Sequence, residues 1–350
     1  MKTRFIAFTV AACLLLNFAA FASGDTRKQR AKKRNVSRLV SQLPASDGVA
    51  VFEAKRFFGN ALPQILTANQ PILSEIMAKV SEIESRTGVD LRKFDTVAVG
   101  VAIKRVNAKE VDFEPVAIAS GDINAGALVA VAKLASKGTY REEQVNGRTV
   151  FVFTAKDVMQ KTSSRTSNSK IAGVMHKTLD GLTKEIAVTA LDNNTLVLGS
   201  LNRVRETLEA KTRPSADLTA KLMQNPLAVM NFAVKTPDGM SQFLPLDNDE
   251  LGKNVDSIRY LSGSLDVATA GTSLQVTAQT LKPEQAEGLK SALEGLQMLG
   301  KAILGSSKRT DQQVYGRMVK AANIRSRANE VTLDLLVPQT DIDILIAGVK

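Results

Sequence analysis

The chain has 350 residues, 44% of them hydrophobic, with 46 Lys and Arg against 35 Asp and Glu, one His, one Cys and no Trp. It is too apolar for a disordered protein and too polar for a multi-span membrane protein. One His and one Cys exclude a Cys/His zinc site, a disulfide framework and an iron–sulfur centre, so no cofactor is expected.

At the N-terminus, Lys2 and Arg4 precede an apolar run from Phe5 to Ala22, broken only by Thr9 and Asn17 and ending in Ala20-Phe21-Ala22. That is the plan of a secretory signal peptide over residues 1–22, and it predicts an exported protein of the periplasm or cell envelope. Two alternatives stay open: a lipoprotein processed at Cys13 after Val10-Ala11-Ala12, or an uncleaved anchor over residues 5–22. Arg27, Lys28, Arg30, Lys32, Lys33, Arg34 and Arg38 then face a single acid, Asp25. Most of the basic excess is therefore one disordered leader, residues 23–42, on a near-neutral body. Such a leader suits an anionic membrane surface or an envelope component. Nucleic acid is not an expected partner, because base stacking needs aromatics interleaved with the cations and these are missing.

The body opens at Leu43-Pro44-Ala45-Ser46-Asp47-Gly48, a turn-rich entry to a strand over Val49–Lys55. Ile72, Leu73, Ile76, Met77, Val80 and Ile83 repeat at three and four, with Asn69 and Pro71 as start signals and Gly88 as a stop, which predicts a helix. Strands follow over Thr96–Ile103 and Pro115–Gly121, then a helix from Asn124 with Leu128, Val131 and Leu134 inward. Asn146-Gly147 predicts a type I′ hairpin between Tyr140–Val145 and Arg148–Thr154; Asp192-Asn193-Asn194 predicts a second between Ile186–Leu191 and Thr195–Gly199. Between them the serine-rich stretch 161–170 reads as a mobile surface loop. A helix over Leu201–Lys211, with Ser200 as N-cap, closes the first half.

Arg213-Pro214-Ser215 marks a break, and the order then reruns. A helix over Ala216–Met223 leads to a strand over Leu227–Val234. Leu261, Leu265 and Val267, then Leu274, Val276 and Ala278, place one apolar and one wet face on two strands joined through Ala270-Gly271. A helix over Pro283–Leu304 is expected to bury Leu289, Leu293, Leu296, Leu299 and Ile303. The last strand turns Val331, Leu333, Leu335 and Val337 inward, with Thr332 and Asp334 outward. The expected fold class is α+β, as two tandem units over 43–213 and 214–350, each a mostly antiparallel sheet packed with helices.

The opener Leu43-Pro44-Ala45-Ser46-Asp47, the stretch Gly88–Gly100 and the hairpin Ala187–Ser200 running into Val204-Arg205-Glu206 resemble a family of exported bacterial proteins known as domains of unknown function, which open Leu-Pro-Ala-Asp-Thr. The resemblance covers most of residues 43–211. It implies an envelope location and an α+β fold, and it transfers no catalytic residue. The chain departs from the pattern at Ser46, which stands in the acidic position, and in its basic leader.

Catalytic constellations are sparse. His176 is the one histidine and has no G-x-S-x-G elbow to serve. Ser167-Asn168-Ser169-Lys170 matches S-x-x-K inside a loop rather than at a helix start, with no K-T-G after it. Asp247-Asn248-Asp249-Glu250-Leu251-Gly252 opens like a calcium loop, then fails at Leu251 and at Ile258, where the bidentate Glu belongs. It reads as a solvated acidic turn. No catalytic, cofactor or metal residue is assigned. The expected function is that of a non-enzymatic exported protein acting by surface or protein-partner contacts. The alternatives are a carrier or sensor of a small apolar ligand held between sheet and helices, or a hydrolase without a His-based site.

Overall fold

The computed structural model describes residues 34–105, 111–136, 139–154, 185–239, 241 and 249–347. Elements are numbered over these residues. Helix α1 (34–40) precedes β1 (Gly48–Phe52). A helical run, α2 (54–65), then passes through a π turn at Phe57–Ala61 and leads to α3 (Gln70–Thr87). Next come β2 (Phe94–Arg105), β3 (Val111–Gly121), α4 (Ala125–Ala135), β4 (Tyr140–Val145), β5 (Arg148–Thr154), β6 (Glu185–Asp192), β7 (Thr195–Gly199) and α5 (Leu201–Glu209). The second half holds α6 (Ala216–Leu222), β8 (Met230–Lys235), α7 (Asp249–Asp256), β9 (Ile258–Ala268), β10 (Gly271–Thr280), α8 (Pro283–Gly305), α9 (Thr310–Ala321), β11 (Asn323–Arg327), β12 (Glu330–Pro338) and α10 (Gln339–Ala347).

The α+β class is as expected, and the twelve strands form one antiparallel sheet in the order β11-β12-β10-β9-β8-β1-β2-β3-β7-β6-β5-β4. The order of connection repeats. In each half a strand and a helical stretch lead into a hairpin (β2–β3, β9–β10). A helical crossover follows, and the last strand returns beside that hairpin (β7 on β3, β12 on β10) before a closing helix. The first half adds the hairpin β4–β5. The two leading strands, β1 and β8, pair with each other at the centre, Ala50 opposite Phe232, so the sheet runs unbroken across the 213/214 boundary.

Local chemistry explains the ends of several elements. The Asn69 side chain accepts from the Ile72 N–H and opens α3, and Gly88 at φ +66° closes it. Asn124 caps α4 in the same way. The Asn146-Gly147 turn has φ +48° and +73°, as type I′ requires. Ser200 occupies the N-cap of α5, but its side chain makes no cap bond and its Oγ is buried without a partner among the described residues. Leu251 and Gly252 lie inside α7, which corrects the reading of an acidic turn there; Asp247 and Asn248 lie outside the described residues.

The two faces of the sheet are filled differently. On one, a single large core gathers Val49, Val51, Ala98, Val116, Ile118 and Val197 under α1, α5 and α6. Leu218, Leu222 and Met223, from beyond the 213/214 boundary, belong to this core. So do Val36, Leu39, Val40 and Leu43, of which Leu39 is 1% exposed. This corrects the leader: residues 34–40 are a packed helix whose apolar side chains recur at three and four, with Arg34 and Arg38 on its exposed side. On the other face lie four smaller clusters, one of which seats Ala286 and Leu289 of α8 on Ala278 and Val331.

The strand alternation in the second half is as read: Leu274 pairs with Leu265 and Ala278 with Leu261 on the apolar side. The polar side is partly buried rather than wet. Ser262, Ser264 and Thr277 are enclosed, and Asn225 donates to Ser264 Oγ and Thr277 bonds Thr332.

Candidate functional site

Among the described residues, helix α8 carries four exposed large hydrophobic side chains, Leu296, Met298, Leu299 and Ile303. Its inward row runs Leu289, Leu293, Gln297, Gly300, Leu304, at spacings of three and four. Leu289 is buried against the sheet and Leu293 packs beside it. Gln297 Nε2 donates to the carbonyls of Val319 (2.8 Å) and Ala322 (2.7 Å), satisfying acceptors at the end of α9. At Gly300 and Gly316 the two helices interlock: a Cβ at 300 would stand 3.1 Å from Val319 Cγ1, and one at 316 would stand 3.4 Å from Leu304 Cβ.

With that row turned inward, the neighbouring row turns to water. Leu296, Leu299 and Ile303 are 48%, 61% and 72% exposed, and Met298 on the flank is 70% exposed. This corrects the expectation that Leu296, Leu299 and Ile303 are core residues. Leu134 of α4, expected inward, is likewise exposed, because α4 buries Ala125 and Val129 instead. Within Gly295–Gly305 only Gln297 and Lys301 are polar, so this stretch is apolar nearly all round. A helix of that kind is normally enclosed on every side. No helix among the described residues is long and apolar enough to cross a membrane.

The carboxylate that precedes this face, Glu294, is paired with Lys290. Residues 295–310 contain Lys301, Lys308 and Arg309 and no carboxylate. The first acid beyond is Asp311, held by Arg309 through a two-pronged contact (3.2 and 2.7 Å) that keeps its carboxyl below the ordinary 3.8. Lys301 stands three residues from Met298, at the border of the apolar surface. Arg317 of α9 donates to Asp341 of α10 at 2.6 Å, tying the hairpin to the C-terminal helix.

Elsewhere among the described residues, buried and paired polar groups tie elements of the fold together. Arg203 on α5 is 3% exposed; its Nη2 donates to Ser46 Oγ at 2.8 Å, Nη1 reaches Glu206, and Nε has no partner among the described residues. This guanidinium clasps the segment before β1 to α5. Asp90, Glu143 and Glu185 are held below the usual carboxylate range by Arg92, Arg205 and Arg141 respectively, as ion pairs do, rather than raised toward neutrality as a general acid would be. Among the described residues no group of His, Cys, Asp and Glu could hold a metal.

Of the basic residues singled out in sequence, Arg27, Lys28, Arg30, Lys32 and Lys33 lie outside the described residues, while Arg34 and Arg38 are exposed on α1. Arg38 borders an open polar hollow of about 620 Å³ with Asp95, Asp192 and Asn194. His176 and Ser167–Lys170 also lie outside the described residues. The apolar face of α8 is not among the residues singled out in sequence. The signal for it is the set Gly295, Gly300 and Gly305 in a stretch with one charge.

The chain matches no protein-family model and no curated protein. Among solved structures it is similar to two crystal forms of TP0453. Form III aligns at a TM-score of 0.43 and 11% identity over 89% of this chain and 98% of that one. Form IV aligns at 0.42 and 10% identity over 88% and 96%.

Proposed function

We propose that this is a non-enzymatic, exported protein of the cell envelope that acts by contact, through the outward apolar face of α8. The observation that carries the reading is the row Leu296, Leu299, Ile303, solvent-facing on a helix whose opposite side is packed. Leaving three large aliphatic side chains half to three-quarters exposed forgoes about 1–2 kcal/mol each relative to full burial. A protein can recover that term by covering the face with something else. Export rests on the signal-like residues 1–22 and on the resemblance of the opener and the Ala187–Ser200 hairpin to exported proteins. The repeated strand and helix order supports reading the two halves as diverged copies.

The test is the fluorescence of a neutral environment-sensitive dye such as Nile red added to the folded protein. The native chain is expected to brighten the dye, Leu299→Ser with Ile303→Ser to abolish most of the signal at unchanged circular dichroism, and Leu134→Ser to leave it intact. Equal brightening by the native and double-variant chains would remove α8 as the contact surface.

A further inference from the structure

Resting on the reading of α8 as the contact surface, we infer that its partner is the surface of an anionic lipid bilayer, on which the α8–α9 hairpin lies with Leu296, Leu299 and Ile303 among the acyl chains and Lys301 and Lys308 among the headgroups.

Three observations converge on this partner. The apolar surface is convex: it is the outer side of a helix already seated on the sheet and on α9, and Leu296, Leu299 and Ile303 stand out from it as a ridge among the described residues. A fluid lipid surface accepts a convex apolar ridge, with the helix axis in the interface plane. Charge is complementary, because residues 295–310 carry three cations and no acid, and the two carboxylates that flank them, Glu294 and Asp311, are paired with Lys290 and Arg309 respectively. Lys301 and Lys308 have no ion-pair partner among the described residues. Lys301, at the border of the apolar row, can extend its stem along that row and lift its ammonium to the headgroups. Finally, the apolar stretch Gly295–Gly305 is 11 residues, about 16 Å of helix. That is too short to span a hydrocarbon core of about 30 Å and long enough to lie in its interface.

A protein partner or a second copy of the chain would be expected to bring carboxylates to these cations in a fixed register. A bilayer needs no register, which fits lysines placed at a helix border and at a turn rather than an arginine fork.

The experiment uses the full chain with Cys13→Ser and Ile303→Cys, the new thiol carrying an environment-sensitive fluorophore, so that the readout is local to α8 whatever residues 1–33 do. Vesicles of phosphatidylglycerol and phosphatidylcholine are compared with vesicles of phosphatidylcholine alone. The expected result is a blue shift on the anionic vesicles, with the local partition constant falling about fivefold for each of Lys301→Gln and Lys308→Gln and falling again as salt is raised. The same label at Leu134→Cys should not shift. An equal shift on both vesicle types would overturn the anionic assignment. No shift on either, while Nile red still brightens with the native chain, would overturn the bilayer and leave α8 as a contact surface for another partner. A shift that grows with protein concentration in the absence of lipid would identify a second copy of the chain instead.

Discussion

Gly300 of α8 faces Val319 of α9 so closely that a Cβ on the glycine would stand 3.1 Å from Val319 Cγ1. That contact sets the rotation of α8. With Gly300 and Leu304 against α9 and Leu289 against the sheet, the row Leu296, Leu299, Ile303 has nowhere to point but outward. The exposed face thus follows from how the hairpin packs.

Gly300→Leu is accordingly expected to force the helices apart and to destabilise the protein by about 1–3 kcal/mol, the usual cost of overpacking. Ile303→Ser, three residues away on the outward row, should change stability by no more than about 0.5 kcal/mol. Leu289→Ala, 3% exposed, should cost about 2–5 kcal/mol. Urea unfolding of the three variants checks the order; a large loss from Ile303→Ser would mean that the outward row is covered.

The α1 helix is expected to be part of the fold. Leu39→Ala should cost about 2–5 kcal/mol, because Leu39 is 1% exposed in the main core. Replacing Arg34 and Arg38 by Gln, both exposed, should leave the urea midpoint unchanged. A midpoint indifferent to Leu39→Ala would return residues 34–40 to a disordered leader.

Ser46 supplies one acceptor to the buried Arg203 guanidinium, whose Nε has no partner among the described residues. Ser46→Asp, which places a carboxylate beside the guanidinium, is expected to give a second acceptor and raise stability by about 1–2 kcal/mol. Ser46→Ala should lower it by about 1–3 kcal/mol by leaving the guanidinium less satisfied. Thermal unfolding of the pair decides; Ser46→Asp less stable than Ser46→Ala would show that the site cannot admit a carboxylate.

The edge hairpin β4–β5 is held by two forked ion pairs, Arg205 with Glu143 (2.5 and 2.6 Å) and Arg141 with Glu185 (2.5 and 2.9 Å). Both carboxyls are held below their ordinary 4.5 by those guanidiniums. A depressed folded value means the contribution is complete above about pH 4.5 and disappears as pH falls through the lower folded value. Amide exchange in β4 should therefore accelerate relative to β2 below pH 4.5, after correction for intrinsic rates. Glu143→Gln together with Glu185→Gln should remove most of that pH dependence, and an unchanged profile in this double variant would take the pairs out of the account.

Much of the fold was legible in the sequence because local chemistry and global structure agree there. The Asn-Gly turn, the Asn69 and Asn124 caps, Gly88 and the alternation of β9, β10 and β12 each name their element and its boundary within a few residues. What was misread has a common cause. Hydrophobic spacing of three and four is satisfied by two rows of α8, and following the leucines from Leu293 to Leu296 crosses from the inward row to the outward one. The residues that keep the inward row, Gln297 and Gly300, score as non-hydrophobic, yet one bonds the end of α9 and the other is the closest approach between the helices. Helix α1 was masked in the same way by the charges on its exposed side. The continuity of the sheet through β1 and β8 depends on a pairing across some 180 residues, which no local pattern encodes.

The central claim, that the outward row of α8 is a free apolar surface, is tested most directly by thiol reactivity in the free protein. In a Cys13→Ser background, Ile303→Cys is expected to react with an aqueous maleimide at close to the rate of the unfolded chain, and Leu289→Cys on the same helix at least a hundredfold more slowly. Protection of position 303 to the degree of position 289 would contradict the account, because the face would then be covered by the chain itself.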